Sequence, residues 1–374
     1  MKIGIDVFSF DKPGENYGVG PGVYVWHLLP ELFRLGKHHT FVVFANRDNE
    51  TMIPRLPNVK VVVSKLPNKF RPFRIVHEQV SMVYYALKFK LDLIHFLGNN
   101  ISFGVARRSV ITILDLMWKY YYDRGSRNLK SLYNSIIIPI TIKRAKAIIT
   151  ISKFVANQVQ EEFNRNERIY PILLAPGKLV QATEQQNRMF AEKYDYDFMY
   201  TVTTSMPHKN LITLLKAFAM MRERNAFEGK LIITGQMKGK FHLPNQEFIR
   251  EHKLEKEVIL TGFIPDEEKT YLYKHAKIVV YPSLYEGFGL PVLEAMSVGT
   301  PVITSHAASI PEVGGDACLY FNPNSADELA ELMISTLSDT SLMTNLKSAG
   351  FIQYNRFSWE KVAAETLEVY EKQQ

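Results

Sequence analysis

Two carboxylates, Glu286 and Glu294, flank the run Gly287-Phe288-Gly289-Leu290-Pro291. Glycines followed by a proline mark the start of a helix, and Gly299 and Pro301 mark its end. The main-chain amides of Phe288, Gly289 and Leu290 then converge on a helix N-terminus, where a phosphate is readily held. Carboxylates repel phosphate, so the two acids must serve hydroxyl groups, such as those of a ribose and a sugar. The spacing puts Glu286 in the loop before the helix and Glu294 in its first turn. A second loop, Ser205–Asn210, carries Lys209. A lysine between a strand and a helix supplies a point charge for phosphate. His208 beside it is a second, weaker cationic contact.

These residues need a scaffold of parallel strands. Short apolar runs (Lys2–Phe8, Thr40–Ala45, Val59–Val63, Leu93–Phe96, Val110–Asp115, Ala147–Ile151) alternate with helical periodicity over Pro21–Leu35, Val80–Lys90, Leu132–Arg144 and Lys153–Phe163. The rhythm pauses near Ala175-Pro176-Gly177, and polar Gln181–Asn187 reads as a linker or linker helix. It restarts with strands at Met199–Thr203, Lys230–Thr234, Val258–Thr261, Ile278–Tyr281 and Pro301–Thr304. Helices are expected at Leu211–Arg224, Phe248–Leu254, Glu267–His275, Val292–Ser297, Ala326–Ser338 and Ser358–Glu371. This is an α/β chain of two Rossmann-like units, each a parallel sheet wrapped by helices. At 374 residues, two domains are the default.

Composition narrows the function. A hydrophobic content of 46% with 22% charged residues excludes a disordered chain. One cysteine, Cys318, excludes a disulfide framework and a multi-cysteine metal site. No apolar run is long enough to span a membrane, and Asp6 stands where a leader peptide would be apolar, so a cytoplasmic protein is expected. The net charge of +7 admits anionic partners without selecting one. A nucleic acid is not expected, because no recognition module appears. Asp195-Tyr196-Asp197 has the form of a metal-binding pair but falls in the linker, and no metal is expected.

The string from Glu286 to Glu294 resembles the E-x7-E signature of the retaining GT-B glycosyltransferases of family GT4, group 1. The resemblance extends through Ser205–Asn210 and its helix, Thr261–Pro265, and Phe357-Ser358-Trp359. It implies a nucleoside diphosphate sugar as donor, GDP- or UDP-linked, and no cofactor. By that resemblance Glu286 contacts the transferred sugar and Glu294 the ribose. The amides of Phe288–Leu290 and Lys209 hold the phosphates, and Gly262 and Phe263 line the base pocket. In the first half, the Gly18–Gly22 loop, Gly20 included, resembles the family's N-terminal glycine loop near the transferred phosphate. Asp115 matches the aspartate of a second motif, with Leu114 where relatives usually carry His. His208 stands where many carry Arg.

The expected architecture is an acceptor-binding domain over 1–178, a donor domain over 179–357, a cleft between them, and a final helix over 358–374 returning to the first. The expected reaction transfers a hexosyl group to a hydroxyl of a lipid-linked or growing surface glycan, with retention. Glu286, Lys209 and Asp115 are the candidate catalytic residues. The resemblance leans toward mannosyltransferases of O-antigen or capsule assembly. Leu114 and His208 keep open a catalytically weak glycan- or nucleotide-binding protein, and the fold also admits a nucleotide-sugar epimerase. Aromatic and basic residues interleave at Lys69–Arg74 and from Trp118 to Lys130, which suits peripheral contact with an anionic membrane.

Overall fold

The computed structural model describes residues 1–10, 20–64, 71–98, 101–121 and 136–374, and only the backbone over 71–78. Gly18, Val19, Lys69, Phe70, the stretch 122–135 with Arg127 and Lys130, and the side chains of Arg71–Arg74 therefore lie outside the described residues.

The chain divides into two compact units, Met1–Ala175 with Phe357–Gln374, and Pro176–Arg356. The first contains β1 (Lys2–Asp6), α1 (Gly20–Leu35), β2 (Thr40–Ala45), β3 (Val59–Val63), α2 (Arg71–Lys88) and β4 (Leu93–Phe96). There follow β5 (Ser109–Ile113), α3 (Met117–Tyr120), α4 (Ile138–Arg144), β6 (Ala147–Thr150), α5 (Lys153–Phe163) and β7 (Ile169–Pro171). Its seven strands are all parallel, in the order β3-β2-β1-β4-β5-β6-β7. Strands covered on both faces read as continuous apolar runs, and β4, β5 and β6 are buried at every residue. One face packs Ile94, Phe96, Ile111 and Ile148 against Val155 and Val159 of α5.

The second unit begins with α6 (Glu184–Lys193), β8 (Phe198–Val202), α7 (Leu211–Glu223), β9 (Lys230–Thr234), α8 (Leu243–Glu251) and β10 (Val258–Gly262). It continues with α9 (Asp266–His275), β11 (Val279–Tyr281), α10 (Leu290–Ser297), β12 (Val302–Ser305), α11 (Ile310–Gly314), β13 (Cys318–Phe321), α12 (Ala326–Ser338) and α13 (Thr340–Tyr354). The parallel order is β10-β9-β8-β11-β12-β13. The first strand of the unit, β8, thus lies between β9 and β11, so successive crossovers run outward in opposite directions from the β8/β11 boundary. At such a switch point the loops beyond the strand ends part and leave a crevice for a ligand.

The last helix, α14 (Trp359–Glu371), belongs to the first unit. Ser358 caps it, accepting from the Lys361 amide at 3.2 Å. Trp359 stacks on His27 of α1 at 5.4 Å between ring centroids, and Arg34 meets Glu360 at 2.7 Å. Deeper in, Nδ1 of the fully buried His95 lies 2.5 Å from the Tyr370 hydroxyl. Its Nε2 lies 2.8 Å from Thr112 Oγ1, which in turn is 2.8 Å from the Tyr24 hydroxyl. Burial pushes His95 down to about 3, so the ring is neutral and offers one donor and one acceptor. His95 is therefore a structural tie between β4 and the final helix. Removing the Tyr370 hydroxyl leaves a buried imidazole nitrogen unsatisfied. Tyr370→Phe is expected to destabilise the first unit by about 1–3 kcal/mol. Urea unfolding measures this, and an unchanged midpoint would contradict it.

Candidate active site

In the second unit, β8 and β11 end side by side, and each carboxyl end feeds a loop bearing one of the charged residues. After β8 the chain makes a single 3-10 turn, Pro207–Lys209, then enters α7 through Asn210 in the left-handed region, φ 55°. Asn210 pins this loop to its neighbours, donating to Pro282 O at 3.0 Å and to Pro323 O at 2.7 Å. The Leu284 amide donates to His208 O at 2.7 Å, so the two strand-end loops are joined directly.

Lys209 and Glu286 meet across this junction. Lys209 Nζ lies 2.7 Å from Glu286 Oε1, and the Tyr281 hydroxyl donates to the same oxygen at 2.6 Å. Both charged side chains are largely covered, with 19% and 11% exposed. Burial works to raise the Glu286 carboxyl, but Lys209, with help from Tyr281 and Ser283, outweighs it and holds the pKa below the usual range. A depressed carboxyl contributes its stabilisation above the ordinary range and loses it as pH falls through the lowered value. The pair is therefore intact at neutral pH. Ser309 secures the loop main chain from the far side, its hydroxyl 2.9 Å from both Glu286 O and Phe288 O.

Gly289 opens α10 at φ 114°, a conformation closed to side chains with a Cβ. With Pro291 in the first turn, the helix starts beside Glu286 with the amides of Phe288–Leu290 at its positive end. Glu294 lies in the second turn of α10 rather than the first. Its carboxylate is gripped by two residues of α9: the Tyr273 hydroxyl donates at 2.8 Å, and Lys269 Nζ lies 3.3 Å away. Burial alone would lower the Lys269 pKa, but Glu294 and Asp266 reverse it upward. Gly262 ends β10 and Phe263 follows it, 72% exposed, on the connection to α9. A Cβ built on Gly262 meets nothing within 4 Å, so the space beside it is open.

His208 does not supply a second positive charge. It is 3% exposed, and burial, then Lys209, push it down to about 4 against the opposing pull of Glu286. Asp197 is exposed and paired with Lys277 at 3.0 Å, as suits a residue of the linker region. In the first unit, Gly20 is the first residue of α1, again with open space where a Cβ would stand. Asp115 follows β5 and accepts from the Met117 amide at 2.9 Å, an Asx-type turn that leads into α3.

Comparison with known proteins agrees on one family. The chain matches the models for glycosyl transferases group 1 over residues 183–361 and Glycosyltransferase Family 4 over 19–173. It is 30% identical over 319 residues to the O-antigen chain mannosyltransferase B of Escherichia coli, covering 81% of this chain and 80% of that protein. The chain belongs to the family 4, group 1 glycosyltransferases. Its structure superposes on sucrose-phosphate synthase of Thermosynechococcus elongatus with a TM-score of 0.77 at 20% identity, covering 99% and 98% of the two chains. The UDP-glucose complex of Anabaena HepE follows, with a TM-score of 0.71 at 19% identity over 100% and 99%. The fold is GT-B.

Nothing in the residue spacing of this glycosyltransferase marks Tyr281, Tyr273 and Lys269 as the side chains that orient the two glutamates. Tyr281 is the last residue of a strand and Lys269 one of several polar residues on α9; no local spacing ties either to an acid further along the chain. The pairing makes a clear prediction. Lys209→Ala is expected to lower turnover roughly 10²–10³-fold at saturating donor, the cost of losing a preorganised charge contact. The loss should be at least as large at pH 6 as at pH 8, because without Lys209, burial raises the Glu286 carboxyl and favours its protonation at the lower pH. Initial rates check this, and near wild-type turnover would contradict it.

Proposed function

We propose that this glycosyltransferase moves a mannosyl or related hexosyl group from a nucleoside diphosphate sugar to a hydroxyl of a growing surface glycan, with retention of configuration. The observation that carries the reading is the buried Lys209–Glu286 pair at the β8/β11 switch point, beside the start of α10. A diphosphate entering there competes for the lysine and takes it as counter-charge. Glu286, freed of its partner, accepts from hydroxyls of the sugar. Glu294, held by Tyr273 and Lys269, keeps its remaining acceptor capacity for the ribose. The amides of Phe288–Leu290 stabilise phosphate oxygens, and Gly262 and Phe263 offer an open edge to the base. The mannosyl assignment draws on the Escherichia coli mannosyltransferase relative, and the nucleotide-linked donor on the UDP-glucose bound by Anabaena HepE. Acceptor binding is assigned to the first unit, where Asp115 keeps its reading as a catalytic candidate and Gly20 its reading as a donor contact near the transferred phosphate.

No protein base or nucleophile is required by this scheme: the acceptor oxygen bonds the anomeric carbon as its bond to the phosphate oxygen breaks, and the acceptor's proton passes to that departing oxygen. The barrier is lowered by charge stabilisation of the leaving diphosphate and by orientation. With Lys209 and helix-start amides as counter-charge, the donor needs no metal. Adding Mg²⁺ to chelator-treated enzyme should change the rate little; a strict Mg²⁺ requirement would overturn this part of the scheme. The assignment of the two acids is tested by binding. Glu294→Gln should weaken calorimetric affinity for the free nucleoside diphosphate about tenfold, or ~1.4 kcal/mol. Glu286→Gln should weaken it less, since its partner is the sugar. An unchanged affinity in Glu294→Gln would sink the ribose assignment.

The surface glycan acceptor brings a membrane into the proposal. No helix among the described residues is long and apolar enough to cross one. The end of α2, however, exposes Val80, Tyr84 and Leu87 at helical spacing, with exposures of 66%, 54% and 68%, next to Lys88. Such a stripe suits shallow insertion at an interface, with basic residues near anionic headgroups. Tyr84→Ser with Leu87→Ser is expected to abolish flotation with anionic vesicles at low salt. Equal flotation of wild type and variant, or none by either, would contradict it.

A further inference from the structure

The turn between α1 and β2 holds two adjacent histidines, His38 and His39, beneath the end of α14. Gly36 sets this approach: a Cβ there would meet Leu32 O at 2.9 Å and Leu367 Cδ2 of α14 at 3.0 Å. The last residue of α14, Glu371, consequently reaches both rings. Its Oε1 is 3.1 Å from His38 Nε2 and 3.9 Å from His39 Nε2. One ligand atom from each of the three residues lies within 4.8 Å of the others.

The histidines differ in a way that points to a missing occupant. His38 is exposed and already bonded to the carboxylate, whereas His39 is 2% exposed. His39 turns Nδ1 toward the Met1 amine at 3.4 Å, while its Nε2 is buried with no hydrogen-bond partner. Buried polar atoms are normally satisfied, and an exception calls for a reason. A neutral imidazole keeps a lone pair available on one of its two nitrogens.

We propose that His38, His39 and Glu371 bind one divalent transition-metal ion of the zinc type, which clamps the end of α14 to the α1–β2 turn. Two imidazole nitrogens and one carboxylate oxygen form a donor set suited to Zn²⁺. Bond lengths near 2.0–2.1 Å place tetrahedral ligand atoms roughly 3.3–3.5 Å apart; the two Glu371 spacings, 3.1 and 3.9 Å, bracket that range, and the histidine–histidine spacing, within 4.8 Å, would close on binding. Three protein ligands leave one position for water, and the exposed side chains of His38 and Glu371 open that position to solvent. Mg²⁺ and Ca²⁺ prefer all-oxygen shells and do not suit it. The ion sits in the first unit, whereas Lys209, Glu286 and Glu294 belong to the second. Its task is to fasten the final helix one residue beyond the buried Tyr370–His95 bond.

The test titrates Zn²⁺, Mg²⁺ and, as a spectroscopic probe, Co²⁺ into the full chain after chelator treatment. The expected result is uptake of one Zn²⁺ per chain, a visible tetrahedral Co²⁺ band, and no Mg²⁺ binding. His38→Ala and Glu371→Gln, both at exposed positions, should each weaken Zn²⁺ binding by roughly tenfold or more. Zn²⁺ should also raise the thermal midpoint of the wild type and not that of the variants, because it binds only the native arrangement. Failure of the wild type to take up Zn²⁺, or uptake that both substitutions leave unchanged, would overturn the proposal.

Discussion

The second unit is organised around a lysine and a glutamate withdrawn from water together. Lys209 and Glu286 lie on different loops, 77 positions apart in the chain, and close to 2.7 Å at the one boundary of the sheet where neighbouring crossovers diverge. Removing one member of a buried pair strands the other charge, at a typical cost of roughly 3–5 kcal/mol. That cost explains the density of supporting bonds. Asn210 and Ser309 fix main chain on either side, Thr213 donates to the Asn210 side-chain oxygen, and Tyr281 shares the same carboxylate oxygen as the lysine. On the function proposed above, an anion entering there would take the lysine as its partner and leave the carboxylate to accept hydroxyl hydrogen bonds.

The first unit uses a neutral buried network for a similar purpose. Tyr24, Thr112, His95 and Tyr370 come from α1, β5, β4 and α14, so one chain of hydroxyls and one imidazole joins the sheet to helices from both ends of the sequence. Full satisfaction makes such networks specific, and it fixes where the last helix lands. The His38–His39–Glu371 cluster lies at the very next residue of that helix.

Much of this was legible from the sequence because parallel strands buried on both faces are unbroken apolar runs. Strands such as Leu93–Phe96 and Val59–Val63 and the helix Ala326–Ser338 stand in the structure where their patterns put them. The α13 helix escaped detection: of Thr340–Tyr354 only Leu346, Gly350 and Gln353 are buried, too few for an apolar stripe. β13, Cys318–Phe321, escaped as well: it follows only the five-residue helix Ile310–Gly314 and a single 3-10 turn, without the long amphipathic helix that marks a crossover. Within the site, glycines and acids were visible through their spacing. Partner choice was not, since Lys269 reaches Glu294 across two helices. The buried state of His208 was equally hidden, because its neighbours in sequence, Pro207 and Lys209, are those of an exposed loop.

The central claim is that the Lys209–Glu286 pair is the seat of the donor. A crystal structure of the enzyme with a bound nucleoside diphosphate sugar tests it most directly. The account predicts Lys209 Nζ hydrogen-bonded to a phosphate oxygen, Glu286 against sugar hydroxyls, and the ribose on Glu294. A donor bound elsewhere, with the Lys209–Glu286 bond still closed, would contradict it.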